Sequence, residues 1–486
     1  LNITSRLTDW MTHLRQRDLK GRVVQIITLL LFCALTATLV VYHVELPGKW
    51  GYLAVMGLAG LFGLLIIGNL NRVLLAAILI DIPLRWDIYL GARVANPPLG
   101  MREGWIVAAT TLALVMLYGI YLLQELAHPR SQPRLLLWGN LPLTLYMVIA
   151  CLSVFVARDT RGALFQVFFL MQMYLLYLYI ASTTRTAQDI YFLMFFLLVG
   201  LAFEGLVVLA QRFVGLQVNW MGIVTVNTFG RMAGTLGSPN VAAGYFSLLL
   251  APALSLSFTR LPQLARAGGL LAFGLGGLGL VFTVSRGGWI AFTLSLGIFA
   301  VAAWLRGRLP GWMMFCLLSA GILGAAFLGE PIYERLTGMR TNAAMARIPL
   351  MQIAFRMIED HPLLGVGANN YAINIRRYLT PEISRSFLYV VHNKYLLVWA
   401  ETGLGGILAF VSFLGLALWR GWQCWRRNDH LLSPLALAFV AAIAGQMTHM
   451  MVEIFDSRSQ IQLLWLVAAM LSAMERITRG GKDDAS

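Results

Sequence analysis

The chain has 486 residues, 59% of them hydrophobic and only 12% charged, with a mean hydropathy of +0.73. So little polar surface excludes a string of soluble domains, and apolar runs of the roughly 20 residues that cross a bilayer recur along almost the whole length. The net charge of +15 does not point to nucleic acid, because the basic residues are scattered between apolar runs; positive-inside loops and anionic lipid contacts explain much of the excess.

Arg6, Arg15, Arg17, Lys20 and Arg22 precede the first apolar run, and no small-residue cleavage site follows it, so the run reads as an uncleaved signal anchor. Candidate spans fall near residues 23–43, 50–68, 73–90, 104–123, 135–157, 163–182, 189–212, 239–259, 267–284, 288–305, 311–328, 394–419, 432–452 and 459–475. They give an all-α polytopic membrane protein of about 14 helices, within a range of about 12 to 14. The third is the weakest, since Asp81, Arg85 and Asp87 interrupt it; it is expected to be short, broken or interfacial.

The cations between spans favour cytoplasmic termini. The resulting organisation is a cytoplasmic basic segment 1–22, transmembrane helices with short loops over 23–328, an extracytoplasmic loop 329–393, C-terminal transmembrane helices over 394–475 and a cytoplasmic tail 476–486. Residues 213–238 also face outward on this reading. Within the long loop, Met345, Ile348, Met351, Phe355 and Ile358 are spaced for an amphipathic helix over 343–360 lying on the membrane surface, with Pro349 marking a kink or its start. Cys33, Cys151, Cys316 and Cys424 show no CxxC pair or metal spacing.

Three polar signals interrupt the apolar background on one expected face. Arg231 precedes Gly237-Ser238-Pro239-Asn240, where Ser caps a helix and Pro occupies its first turn. Arg286 lies in Ser285-Arg286-Gly287-Gly288 at another helix start, where free amides, a positive dipole end and a two-pronged guanidinium suit a phosphate. His392, followed by Asn393, ends the long loop and offers an imidazole neutral enough at pH 7 to accept a proton.

Other residues are weaker signals. His449 and Glu453 have i, i+4 spacing, but two ligands without a third make a polar cluster the better reading than a metal site. Glu204 is costly in lipid and must face a partner, a cavity or a proton path. Gly274, Gly276, Gly277 and Gly279 lie inside an apolar run with no preceding strand, which favours close helix packing over a nucleotide loop.

The stretches Arg231–Asn240 with Ala242–Gly244, Ser285–Trp289, Pro362–Tyr371, and His392–Leu396 running into Glu401–Gly406 occur in the order found in one family. In them the chain resembles the bacterial O-antigen ligase and polymerase superfamily, membrane enzymes that handle undecaprenyl-diphosphate-linked glycans. The resemblance implies a helical fold similar to the GT-C glycosyltransferases, with the diphosphate bound by Arg231, Arg286 and Asn240 and with His392 as the base. Asn393 or Glu401 would orient the imidazole, and Arg347 would support the site.

The implied activity is inverting, metal-independent and cofactor-free transfer of a glycan from undecaprenyl diphosphate to the hydroxyl of a glycan or glycolipid acceptor. It implies a multi-pass protein of the bacterial inner membrane with its site on the periplasmic face, a lipid bilayer around it and no nucleic acid partner. Ligation, polymerisation and transfer to protein stay open. The competing reading is a transporter or flippase of lipid-linked oligosaccharide, for which Glu204, Asp81 and Arg85 are the intramembrane candidates.

Overall fold

The computed structural model describes residues 69–92, 100–127, 135, 137–220, 223–228, 230–307, 347–380 and 389–483. The segment 1–22, the spans expected near 23–43, 50–68 and 311–328, residues 329–346 of the long loop and the end of the tail lie outside the described residues. Contacts divide the chain into two units, residues 1–77 with 220–222 and residues 78–219 with 223–486. The described part of the first is little more than the opening turns of helix α1 (Leu70–Leu84). The second unit holds the remaining helices and strands.

The weakest expected span is indeed short. Helix α1 stops at Leu84, one residue after Pro83, and Arg85 takes a positive φ of 53°. The charged residues beyond it enter strand β1 (Asp87–Leu90), which pairs antiparallel with β2 (Trp105–Ala108), Asp87 opposite Ala108. Helices α2 (Ala109–Ala127), α3 (Leu141–Leu152), α4 (Thr160–Thr183) and α5 (Ala187–Phe213) come next. A two-residue ribbon, β3 (Asn227–Thr228) with β4 (Arg231–Met232), leads into α6 (Pro239–Ser255), α7 (Gln263–Phe282) and α8 (Arg286–Leu305). The later part holds α9 (Arg347–Asp360), the single turn α10 (Tyr371–Asn374), α11 (Lys394–Arg426), α12 (Ser433–His449) and α13 (Arg458–Asp483).

Among the described residues, eight helices are long and apolar enough to cross a membrane: α2, α4, α5, α6, α7, α8, α11 and α13. Helix α6 is the centre of the bundle. It is buried along almost its whole length and is packed by α5, α7, α8, α12 and α13. Helices α7 and α8 instead leave Leu264, Leu271, Ile290 and Leu305 exposed, the arrangement expected where hydrocarbon takes the place of water.

Two glycines of the α7 run serve close packing, because a Cβ on Gly276 would overlap Leu201 and one on Gly279 would overlap Phe246. Gly274 and Gly277 face open space, so only half of that run is used in this way.

The region after Arg347 is a small module of its own. Its core joins Leu350, Ile353, Ala354 and Met357 of α9 to Tyr371, Ile375, Val390, Val391 and Leu397. The stripe expected from sequence spacing is only partly the buried one: Ile358 is covered and Met351 packs against the core, Ile348 and Phe355 stay exposed, Met345 lies outside the described residues, and Leu350, Ile353 and Met357 are covered as well. Apolar residues run round much of the helix, and packing against the module decides which of them are covered. Pro349 sits in its first turn, where no intrahelical N–H is lost.

Helix α11 breaks at Gly403, whose φ of 70° and ψ of −172° are non-helical. The loop after α9 fills the break. The Val366 and Gly367 amides donate to the carbonyls of Ala400 and Glu401 at 2.8 and 2.9 Å, and the Leu404 amide returns a 2.8 Å bond to the Pro362 carbonyl. Backbone groups freed by the kink are thereby satisfied. A side chain at Gly403 would run into the Leu363 carbonyl, so the position needs glycine for its φ and for space.

Candidate functional site

Three helix starts share one end of the bundle, each capped by a residue from a motif noted in the sequence. Ser238 Oγ accepts the Val241 amide at 3.2 Å at the head of α6, and Ser285 Oγ accepts the Gly288 amide at 3.4 Å at the head of α8. Asn393 Oδ1 accepts the Leu396 amide at 3.0 Å at the head of α11. The C-terminus of α12 meets them there, because the Lys394 amide donates to the Met450 carbonyl at 2.8 Å. The positive ends of α6 and α8 lie side by side, joined through Ser285 Oγ and Asn240 Oδ1 at 3.2 Å.

Arg231 is fastened between these helices. Its Nε donates to the Thr283 carbonyl at 3.1 Å and its Nη2 to Asn240 Oδ1 at 2.7 Å. Asn240, expected to contact a diphosphate, thus spends its carbonyl oxygen on holding Arg231 and Ser285. The loop behind Arg231 is pinned from α5: Gln211 Oε1 accepts the Gly234 amide at 2.9 Å, and Glu204 accepts the Thr235 amide at 3.0 Å as well as its hydroxyl.

Glu204 is therefore an anchor for this loop. The other intramembrane candidates are also engaged: Asp81 with Arg458 at 2.9 Å and with Thr110, and Arg85 with the Leu236 carbonyl at 3.1 Å.

Arg286 opens α8 half-buried, and among the described residues its guanidinium makes no hydrogen bond or ion pair. Arg347 opens α9. Burial holds its guanidinium below the ordinary arginine range, Glu453 opposes that and the nearby Arg286 adds to it. His392 follows the buried pair Val390-Val391, with its ring 5.6 Å from that of Tyr389. Its Nδ1 is buried and has no hydrogen-bond partner among the described residues. Burial and then the Arg347 charge, opposed by the Val390 backbone, push the imidazole down to about 4, so it is neutral at pH 7.

The sequence-expected residues thus divide. Arg231, Asn240, Arg286, Arg347 and His392 come to the same end of the bundle and are linked by hydrogen bonds or by charge. The two candidates for orienting the imidazole have other work. Asn393 caps α11, and Glu401 Oε1 accepts the Tyr371 amide at 3.2 Å, bracing the turn that fills the α11 break. Helix starts and long-range loop insertion, respectively, claim their polar atoms.

Glu453 and His449 belong to this region in a way their spacing did not reveal. Helix α12 ends at His449, so Glu453 lies beyond it in the connector and the two do not share a helix face. Glu453 is buried and pushed up to about 7 by that burial, against the pull of Arg347, Asn240 and Arg231. It is the acid set among the arginines. His449 Nδ1 lies 3.2 Å from Gln446 Nε2, and its ring packs on Gly287, where a Cβ would fall 2.7 Å from His449 Cδ2. Among the described residues no three His, Cys, Asp or Glu side chains gather as a metal set.

The same connector ties the site to the rest of the bundle. Asp456 accepts from Arg102 and from Lys394, each at 2.9 Å. Burial raises its carboxyl, but the two cations outweigh this and hold it below the usual carboxylate range. Two residues on, Arg458 binds Asp81 at 2.9 Å and Asp87 at 2.6 Å. Glu453, Asp456 and Arg458 therefore fasten three parts of the molecule within six residues.

No curated protein matches the chain. Residues 269–411, from α7 to the middle of α11, match the family described as O-antigen ligase. Arg286, Arg347, His392 and Glu401 fall inside that stretch; Arg231, Asn240 and Glu453 fall outside it and are joined to it by the fold. This match, on a many-helix apolar chain whose basic and imidazole side chains collect at the heads of adjacent helices, supports placing the protein in the O-antigen ligase and polymerase superfamily of membrane enzymes.

Proposed function

We propose that the protein transfers a glycan from a polyprenyl diphosphate, undecaprenyl diphosphate in a bacterial inner membrane, to an acceptor hydroxyl. The observation that carries this reading is the gathering of Arg231, Arg286 and Arg347 with a neutral His392 where two helix N-termini lie side by side. Three guanidiniums against one acid, Glu453, form a cationic cluster suited to a diphosphate.

In this mechanism the lipid tail lies between helices and the diphosphate meets Arg231 and Arg286. The acceptor oxygen attacks the anomeric carbon from the face opposite the diphosphate. As the new C–O bond forms, the old one breaks and its electron pair passes to the departing diphosphate oxygen. Donors fixed at that oxygen stabilise the transition state more than the ground state, each by about 2.7–4 kcal/mol. The arginines take the part that a metal ion plays elsewhere. His392 receives the acceptor proton, and the anomeric centre inverts.

A free imidazole held near 4 is a weak base. An arriving diphosphate brings negative charge that offsets Arg347 and raises the basicity of His392 when it is needed. Asn240 aims Arg231, and Glu204 aims the loop that carries it. On this reading the site faces the periplasm, both termini are cytoplasmic and the bundle is of GT-C type.

The test is glycan transfer by purified protein supplied with a lipid-linked donor. Arg286→Ala and His392→Ala are each expected to abolish most activity. Rates near wild type in both would remove these residues from the mechanism and leave the alternative, movement of lipid-linked oligosaccharide without covalent transfer, as the reading to pursue.

A further inference from the structure

A recess opens on the module that carries His392. It has a volume of about 700 Å³, within the range of small-molecule and lipid sites, and it is lined by Arg158, Arg377, His361, Leu363, Leu364 and Val156 among others. Among the described residues no carboxylate lines it; Asp159 and Asp360 belong to the neighbouring chain positions but do not contribute to the wall. Neither Arg158 nor Arg377 makes a hydrogen bond or ion pair to a described side chain, and both are exposed.

The apolar side of the recess is equally distinctive. Leu363 and Leu364 are 68% and 57% exposed, although they sit in a loop whose backbone is locked into the α11 break. Val156, 41% exposed, adds to the wall, and the 3-10 turn that precedes it in the chain, after α3, leaves Phe155 87% exposed. Rigid leucines and a valine left bare on the same wall as two guanidiniums with no described partner match an amphiphile, its hydrocarbon against the leucines and its anionic head on the arginines.

The walls are held firmly. Asn370 Oδ1 accepts the Asp159 amide at 2.7 Å and its Nδ2 donates to the Asp159 carbonyl at 3.1 Å, which joins the Arg158 segment to the Pro362–Tyr371 loop. Asn369 likewise joins that loop to Arg102 and Gly162, at 2.8 and 2.9 Å. A preformed recess of this kind binds with a smaller ordering cost.

We infer that this recess is a second anion site, separate from Arg231 and Arg286, that receives a phosphate-bearing lipid through Arg158 and Arg377. The lipid is either a phosphorylated glycolipid acceptor or an anionic phospholipid of the bilayer. The first case rests on the transferase reading above; the second does not.

The experiment uses the full chain in neutral detergent, titrated with phosphatidylglycerol and read by native mass spectrometry. Arg158→Gln with Arg377→Gln is expected to weaken binding about tenfold or more, because two charge-assisted contacts are lost. Arg286→Ala is expected to leave it unchanged. Equal binding by wild type and the double variant overturns the site, as does an equal loss in Arg286→Ala. Unchanged thermal unfolding of the double variant keeps a binding loss from being a folding defect; should it not fold, Leu363→Ser with Leu364→Ser, expected to weaken phosphatidylglycerol but not glycerol phosphate, carries the same test.

Transfer kinetics in neutral nanodiscs separate the two sources. A raised acceptor KM at unchanged kcat in the double variant identifies the acceptor, and unchanged transfer with lost phosphatidylglycerol binding identifies the bilayer lipid. Loss of transfer in Arg286→Ala with lipid binding intact would leave this site standing on its own.

Discussion

Replacing Arg347 with Gln should make His392 a stronger base in the free enzyme. The imidazole lies at about 4 rather than 6.5, with burial the larger cause and the Arg347 cation the second. Arg347 is the second of these causes, so its removal should raise the acid limb, by on the order of one pH unit for the loss of one nearby like charge. The assay is kcat/KM for donor against pH, which reports groups of the free enzyme, with an NMR titration of His392 in isotopically labelled protein as the second readout.

The sign also extends to stability. A folded-state imidazole below its unfolded value means the unfolded chain binds more protons between about 4 and 6.5, so stability from this group is present above that window and is lost as pH falls through it. In Arg347→Gln the window narrows from its lower end. An acid limb that stays in place, or moves down, refutes the electrostatic link between Arg347 and His392.

Other outcomes depend on particular contacts. Arg286→Ala should lower kcat by about a hundred- to a thousandfold, and Arg286→Lys should remain badly impaired if two-pronged geometry matters; full activity of the lysine variant in transfer assays would point to simple charge. Gly403→Ala should lower the thermal midpoint in detergent or prevent folding, since the strained φ alone costs about 1–3 kcal/mol and the Leu363 carbonyl occupies the space; a wild-type midpoint would contradict the loop insertion. Asp456→Asn leaves Arg102 and Lys394 without their shared carboxylate and should destabilise by about 3–5 kcal/mol in denaturant unfolding, a loss that wild type should approach only as pH falls below the ordinary carboxylate range.

Much of the site was readable because helix starts are local events. Ser238-Pro239, Ser285-Arg286 and His392-Asn393 each announce a cap within a few residues, and the basic and imidazole groups travel with those caps. The helices themselves follow from apolar run length, and α1 was suspect because the charges of Asp81, Arg85 and Asp87 were visible. What stayed hidden depends on distant contacts. Glu453 looked like half of a helical pair because nothing local says that α12 stops at His449. Glu401 looked like a partner for the imidazole, but a loop 30 residues earlier in the chain claims it. Helix α9 carries apolar residues round much of its surface, and only the module packed against it decides that Leu350, Ile353, Met357 and Ile358 are the ones covered.

The six residues from Glu453 to Arg458 bear on how this protein can be taken apart. The ligase-type stretch brings Arg286, Arg347 and His392 but leaves behind the acid among them and the aspartate that neutralises Lys394. Grafted alone into another scaffold, it would deliver a self-repelling cluster of cations. A chimera that keeps its chemistry must therefore cut the chain beyond Arg458, at the far end of the last helix rather than at the edge of the recognised stretch.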